Sequence, residues 1–198
     1  VPRYRELDGR HLVPVSTGRQ ADDSICLVVE TSQSHVRVAE AARVRLRSLG
    51  APRELHADLE EQPGYVALRI PCDLEQGVPL TIEKTVVLYS SRECAISEPG
   101  YAARRKLAGT AGFAEQLDTQ AMAWDRLWRR SAISLNDHGE LNRTLHLHIF
   151  HALQTVSPNS VDLDAGVGAR GLHGEAYRGH VFWDEAYIFP FSITPSPS

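Results

Sequence analysis

The chain has 198 residues, which is enough for one domain or for parts of two. Its net charge of −4 does not favour a nucleic acid or a membrane surface as partner, and no apolar run approaches the roughly 20 residues that span a bilayer. Three widely spaced cysteines favour reduced thiols in a cytoplasmic protein over a disulfide framework.

Residues 1–97 carry β-type patterns separated by turn signals such as Gln62-Pro-Gly64. Four runs are rich in β-branched residues or alternate in polarity, and they are residues 24–30, 35–46, 65–70 and 80–89. Because no long helical pattern intervenes, the region is predicted to be part of an antiparallel β-sandwich. Its isolated histidines (His11, His35 and His56) lack metal-ligand spacing, which favours a packing role for this region.

From residue 98 to residue 157 the pattern becomes helical. Glu98-Pro-Gly100 ends the β pattern, and apolar residues recur at spacings of three and four from about Gly112. The first predicted apolar face comprises Phe113, Leu117, Ala121, Trp124, Leu127 and Trp128. A second helix is predicted to start at Asn136 or Asp137, with Glu140 completing a capping pattern, and to end at Ser157-Pro158.

Both helices contain residues with a second possible role. His148 and His151 are one turn apart and could serve a metal, but His146 points elsewhere and no acidic or thiol partner has a convincing spacing. Trp124 and Trp128 could line a ligand groove, although their spacing is typical of a helix core. We therefore expect no metal site and interpret these residues as packed or surface side chains.

The stretch from Gly166 to Glu185 has the highest density in this chain of side chains that can bind a ligand or take part in catalysis. It opens on a Gly-x-Gly-x-x-Gly match to the dinucleotide fingerprint, but aspartates interrupt the run before it and two more glycines follow, so nucleotide binding is not favoured. Trp183 and Asp184 can read a sugar, since an indole face covers its C–H side and a carboxylate accepts from its hydroxyls. The alternative is that the glycines, Trp183 and Asp184 only pin a loop before a helix.

The run Gly-Glu-Ala-Tyr-Arg-Gly-His-Val-Phe-Trp-Asp at positions 174–184 resembles the signature at the start of the catalytic barrel in glycoside hydrolase family 65. That family includes maltose, trehalose and kojibiose phosphorylases and some trehalose hydrolases. The Trp124–Trp128 segment is similar to its linker. The resemblance implies an α+β multidomain fragment: residues 1–97 as the C-terminal part of a β-sandwich, 98–135 as a helical linker, and 136–198 as the beginning of an (α/α)6 barrel.

The resemblance implies an inverting enzyme that cleaves an α-linked glucose disaccharide of the trehalose or maltose type. Inorganic phosphate would be the co-substrate, β-glucose 1-phosphate and glucose would be the products, and no cofactor would be needed. Trp183 and Asp184 would bind the transferred glucose, and His180, Tyr177 and Arg178 would shape the same wall. The family's catalytic acid lies beyond Ser198, so Glu175 and Glu185 are not expected to be catalysts.

Many family members read Phe-Trp-Asp-Thr-Glu, whereas this chain has Glu185 and then Ala186 after Asp184. Because the chain lacks an initial Met and stops just after an apolar segment, we expect a fragment of a longer protein, whose parent could be a homodimer. Since the family's catalytic acid is expected to lie beyond it, the fragment is expected to be inactive alone. Three alternatives stay open: a trehalose hydrolase of the same family, a non-catalytic carbohydrate-binding protein, and a structural protein whose glycine-rich loop only packs.

Overall fold

The computed structural model describes residues 9, 11–93, 96, 98–136, 139–155, 166–168, 179–183 and 185–186. It divides into two compact units, residues 1–113 and residues 114–198. The first unit contains the strands and one helix, and the described part of the second unit contains two helices and the segment around Trp183.

The strands of the first unit are β1 (Leu12–Ala21), β2 (Ser24–Thr31), β3 (Arg37–Ser48), β4 (Ala51–Arg53), β5 (Asp58–Gln62), β6 (Tyr65–Arg69) and β7 (Leu80–Ser90). All pairings are antiparallel: β2 lies between β1 and β3, β4 and β7 both pair with β3, and β5 forms a separate hairpin with β6. The four predicted strands are confirmed as β2, β3, β6 and β7, whereas β1, β4 and β5 were not predicted.

Small side chains on one face of the main sheet make room for a helix. Cross-strand partners place Cys26 beside Ala41 and Val28 beside Ala39, and all four side chains are buried. Ala103 and Leu107 of α1 (Pro99–Ala108) complete this core. On the opposite face, the outward positions of β7 alternate with the core positions and expose Ile82 and Leu88.

The start of α1 corrects the prediction that Glu98-Pro-Gly100 only ends the β pattern and that helical structure begins near Gly112. Pro99 occupies the start of the helix, where a missing N–H costs nothing. The Glu98 carboxylate accepts hydrogen bonds from the backbone N–H groups of Gly100 (3.0 Å) and Tyr101. Glu98 therefore acts as the helix cap, a role more common for Ser, Thr, Asp and Asn.

Two charged side chains of the sheet hold the end of α1 and the segment that follows it, residues 107–113. Arg43 is buried, and its two terminal nitrogens each donate a 2.9 Å hydrogen bond, one to the Leu107 carbonyl oxygen and one to that of Thr110. A cation is favoured there because the last carbonyl groups of a helix carry partial negative charge. The Glu83 carboxylate accepts from the Phe113 N–H at 3.1 Å.

The second unit contains α2 (Phe113–Ser131) and α3 (Gly139–Gln154), so both predicted helices are confirmed. The two helices meet through aromatic side chains. Trp124 lies 4.7 Å from Phe150 between ring centroids, and Trp128 lies 5.5 Å from His146. The tryptophans therefore pack, as predicted, although the predicted face of α2 stays exposed at Leu117 and Leu127. Among the residues described, no helix is long and apolar enough to cross a membrane.

Burial raises the pKa of the Cys26 thiol, and Arg104 offsets part of this effect by favouring the thiolate. The contribution of the neutral thiol to stability is complete below the thiol's unfolded pKa and is lost as pH rises through the higher folded pKa. We expect Cys26 in the native whole protein to react with iodoacetamide at pH 8 at least about tenfold more slowly than the half-exposed Cys72.

Peptide mass spectrometry of timed samples measures both rates, and the denatured protein is the control in which the two rates should converge. Equal rates in the native protein would show that Cys26 is not sealed under α1.

Candidate functional site

The predicted sugar-binding residues fall at the edge of the described structure. Trp183 and His180 are described, whereas Tyr177, Arg178 and Asp184 lie outside the described residues. The Trp183 side chain is 74% exposed. The exposed His180 ring lies 6.3 Å from that of Phe182, measured between centroids. The segment thus presents aromatic and imidazole groups on its surface.

Two hydrogen bonds join the beginning of the glycine-rich run to its end. The Gly166 N–H donates to the Gly179 carbonyl oxygen at 2.7 Å, and the Val167 N–H donates to the Glu185 carboxylate at 3.0 Å. We call these four residues the loop base. They bring together positions up to 18 residues apart in the sequence. The segment that carries Trp183 is therefore tied to the start of the run.

The loop base needs glycine at two positions. A Cβ on Gly166 would lie 2.7 Å from the His180 carbonyl oxygen and would also collide with the Glu185 carboxylate. Gly179 has a φ of 76°, in the region that side chains rarely adopt. These two glycines therefore permit a close approach of the backbone and a sharp turn.

The same geometry bears on the dinucleotide fingerprint. In a dinucleotide-binding loop, backbone N–H groups and the N-terminus of the following helix face the pyrophosphate. Here the N–H groups of Gly166 and Val167 already donate to protein oxygens, and residues 166–168 are not helical. This part of the run is consistent with the prediction that it binds no nucleotide.

A single turn carries Trp183 and Glu185 with their side chains in different environments. The Phe182 carbonyl oxygen accepts from the Glu185 N–H at 3.2 Å, and the Trp183 carbonyl oxygen accepts from the Ala186 N–H at 3.1 Å. Glu185 and Ala186 are helical. Glu185 is only 7% exposed, and its carboxylate points to Val167, whereas Trp183 is exposed.

The described residues of this segment can bind a sugar ring. Among them, no acidic side chain faces the exposed surface at Trp183. An exposed indole offers a flat apolar face to the C–H side of a sugar ring. Glu185 is enclosed, and its carboxylate faces the Val167 N–H rather than the exposed surface at Trp183. Glu175 lies outside the described residues. The sequence analysis did not predict that Glu185 holds the loop base. The one available signal was the presence of an acidic residue in a run of glycines and aromatic residues.

Other features of the two units do not add to this site. A groove of about 490 Å³ in the first unit is lined by Tyr89, Tyr101, Arg105 and their neighbours, and it contains none of the predicted site residues. In the second unit, the His146 ring contacts Trp128 and its Nε2 lies 3.1 Å from the Ile133 carbonyl oxygen. Across the ranges described, no three histidine, cysteine or acidic side chains converge to hold a metal ion.

Two family models match most of the chain. The model of the glycosyl hydrolase family 65 N-terminal domain matches residues 1–127. The model of the glycosyl hydrolase family 65 central catalytic domain matches residues 146–198, which include the loop base and Trp183.

Several individual proteins are also similar. An uncharacterized glycosyl hydrolase of Mycobacterium tuberculosis (strain ATCC 25618 / H37Rv) is 40% identical over 96% of this chain and 14% of its own length. A trehalose 6-phosphate phosphorylase of Lactococcus lactis is 31% identical over 100% of this chain and 24% of its own length. A kojibiose phosphorylase of Caldanaerobacter subterraneus is 30% identical over 99% and 26% respectively. The chain thus spans about a quarter or less of the length of these relatives.

Proposed function

Because the chain belongs to glycoside hydrolase family 65, we propose that the whole protein containing it is an inverting disaccharide phosphorylase that acts on an α-linked glucoside. The observation that carries the proposal is the pair of family matches, which extend over the sheet, α1, parts of α2 and α3, and the Trp183 segment. Two of the similar proteins are a trehalose 6-phosphate phosphorylase and a kojibiose phosphorylase, which supports phosphorolysis as the reaction.

In the proposed reaction, an acid donates a proton to the glycosidic oxygen while phosphate attacks the anomeric carbon from the opposite face. The bond from the anomeric carbon to the glycosidic oxygen breaks, and a bond to a phosphate oxygen forms. The products are β-glucose 1-phosphate and the released acceptor sugar. We propose that this acid belongs to a part of the protein beyond this chain and that the 198-residue chain alone is inactive.

Within this chain, the proposed role of the Trp183 segment is to hold the glucose that is transferred. The exposed indole of Trp183 would cover the apolar side of the ring, and Asp184 would accept hydrogen bonds from its hydroxyls. His180, Tyr177 and Arg178 would line the same wall. Such contacts accelerate the reaction when they strengthen as the ring distorts towards the transition state.

The proposed domain division is a β-sandwich portion over residues 1–97, a helical linker over 98–135 and the beginning of an (α/α)6 barrel over 136–198. The antiparallel sheet, which packs α1 on one face, supports the first part. The aromatic contacts between α2 and α3 are compatible with the other two parts. We further propose a cytoplasmic location and a homodimeric parent protein.

The test uses the whole protein, with the 198-residue chain as a control. Trehalose, trehalose 6-phosphate, maltose and kojibiose are each incubated with and without inorganic phosphate, and glucose 1-phosphate and free sugars are assayed. We expect phosphate-dependent formation of β-glucose 1-phosphate from one of them by the whole protein and no product from the chain. Free sugars formed without phosphate would instead identify a hydrolase. The absence of any product would remove the support for catalysis and favour a binding protein.

A further inference from the structure

We infer that Glu185 is a positioning residue for the glucose site: its enclosed carboxylate anchors the turn that carries Trp183 to the start of the glycine-rich run. This inference deepens the proposed function and rests on it, because it concerns how the same sugar-binding wall is held. It gives Glu185 no contact with substrate and no proton to transfer.

The Glu185 side chain is enclosed by the surrounding protein. A buried carboxylate is costly unless its oxygens find partners. The Glu185 Oε1 atom accepts from the Val167 N–H at 3.0 Å, and the residue is 7% exposed. Gly166 has no room for a side chain, because its Cβ would occupy the space taken by that same carboxylate. The chain around Val167 is therefore shaped to receive this particular acid.

Trp183 and Glu185 lie two positions apart in one turn. The Glu185 N–H donates to the Phe182 carbonyl oxygen and the Ala186 N–H donates to that of Trp183, so both hydrogen bonds link residues three positions apart, as in a 3₁₀ turn. Successive residues in such a turn project about 120° apart, so the side chains of Trp183 and Glu185 point to different sides. With Glu185 fixed inward on Val167, the indole of Trp183 is directed outward, as its exposure shows.

The length of the Glu185 side chain matches the distance that it spans. Its Oε1 atom lies 3.0 Å from the Val167 nitrogen, at hydrogen-bond distance. An aspartate side chain is shorter by one methylene and would fall short of the Val167 N–H from the same backbone position. The anchor is therefore matched to the glycine-rich run of this chain, in which Gly166 brings the Val167 N–H within reach.

The test compares two conservative variants of the whole enzyme. Glu185→Gln keeps the length and an accepting oxygen but removes the charge, whereas Glu185→Asp keeps the charge and shortens the reach by one methylene. Because a misplacement of about 1 Å can cost up to about 100-fold in rate, we expect Glu185→Asp to raise the KM for the disaccharide by about tenfold or more. Glu185→Gln should raise it less, and the KM for phosphate should stay constant in both.

Isothermal titration calorimetry with D-glucose provides a readout that needs no turnover. The Kd for glucose should rise more in Glu185→Asp than in Glu185→Gln. Glu115→Gln, an exposed acid on α2, is the matched control and should change neither quantity. The melting temperature of each variant shows whether it folds. Loss of global stability alone would lower the active fraction and kcat without changing the KM or Kd for sugar.

Two outcomes would overturn the inference, and Trp183→Ala shows whether the proposed sugar site fails with it. Glucose Kd values equal to that of the parent in both variants would show that the anchor does not position the site. A Glu185→Gln enzyme without turnover, beside an active Glu185→Asp enzyme, would make Glu185 a proton-transferring group instead. If Trp183→Ala also leaves glucose binding unchanged, the proposed sugar site fails. If Trp183→Ala weakens binding and neither Glu185 variant does, only the positioning role fails.

Discussion

Replacing Trp183 with alanine in the whole enzyme should raise the KM for the disaccharide by about 10- to 100-fold and leave the KM for phosphate unchanged. Covering an aromatic side chain of this size contributes about 1.5–3 kcal/mol, and each 1.4 kcal/mol corresponds to about tenfold in affinity. The side chain is 74% exposed, so its removal costs little packing within the described structure. Steady-state kinetics with each substrate varied in turn measures the effect.

Two variants sharpen this experiment. Trp183→Phe keeps a flat aromatic face and should lose only a small part of the affinity for the sugar. Val181→Ala removes an exposed apolar side chain from the same segment and should change neither KM. A Trp183→Ala enzyme with an ordinary KM for the disaccharide would show that the indole does not bind the glucose.

The second large effect is on stability: Arg43→Ala should destabilise the end of α1 by about 3 kcal/mol. Hydrogen bonds to a charged group contribute about 1.5–3 kcal/mol, and their loss leaves carbonyl groups without partners. Arg43 makes two such bonds, to Leu107 and Thr110, and it is only 6% exposed. The hydrogen bonds of the buried Arg43 are therefore expected to contribute more to stability than the exposed ion pairs of the sheet, whose contributions are small.

Hydrogen-exchange mass spectrometry of the whole protein measures this effect locally. A loss of about 3 kcal/mol should accelerate amide exchange in peptides that cover α1 by about 100-fold. Arg47→Ala is the matched control, since Arg47 lies on the same strand but is exposed. Exchange in α1 that is equally slow in both variants would show that Arg43 does not hold this segment.

The elements found from the sequence were those with a strong periodic signal. Alternating β-branched residues predicted β2, β3, β6 and β7, whereas β5 has the sequence Asp-Leu-Glu-Glu-Gln and reads as polar loop. β5 is a strand because it pairs with β6 through its backbone, which side-chain patterning does not report. α1 escaped prediction because proline and glycine were taken as breakers, although proline suits the first turn of a helix.

The site shows the same division between local and long-range information. The signature that ends at Asp184 is contiguous, so the sequence alone names Trp183 and its neighbours as candidates, and their role stays a prediction. The role of Glu185 depends on Val167, which precedes it by 18 residues and becomes its partner only through the fold. The tight fit at Gly166 could not be predicted either, because it depends on the position of the His180 backbone.

The loop base also indicates where the chain could tolerate insertions. The hydrogen bond between Gly166 and Gly179 holds the two ends of the intervening run together. Loop length is thermodynamically forgiving when both ends are already held, because each doubling adds only about 0.6 kcal/mol of closure cost. Extra residues placed before Tyr177 would therefore lengthen the run at little cost, while the residues proposed to hold the glucose, from Tyr177 to Asp184, keep their sequence.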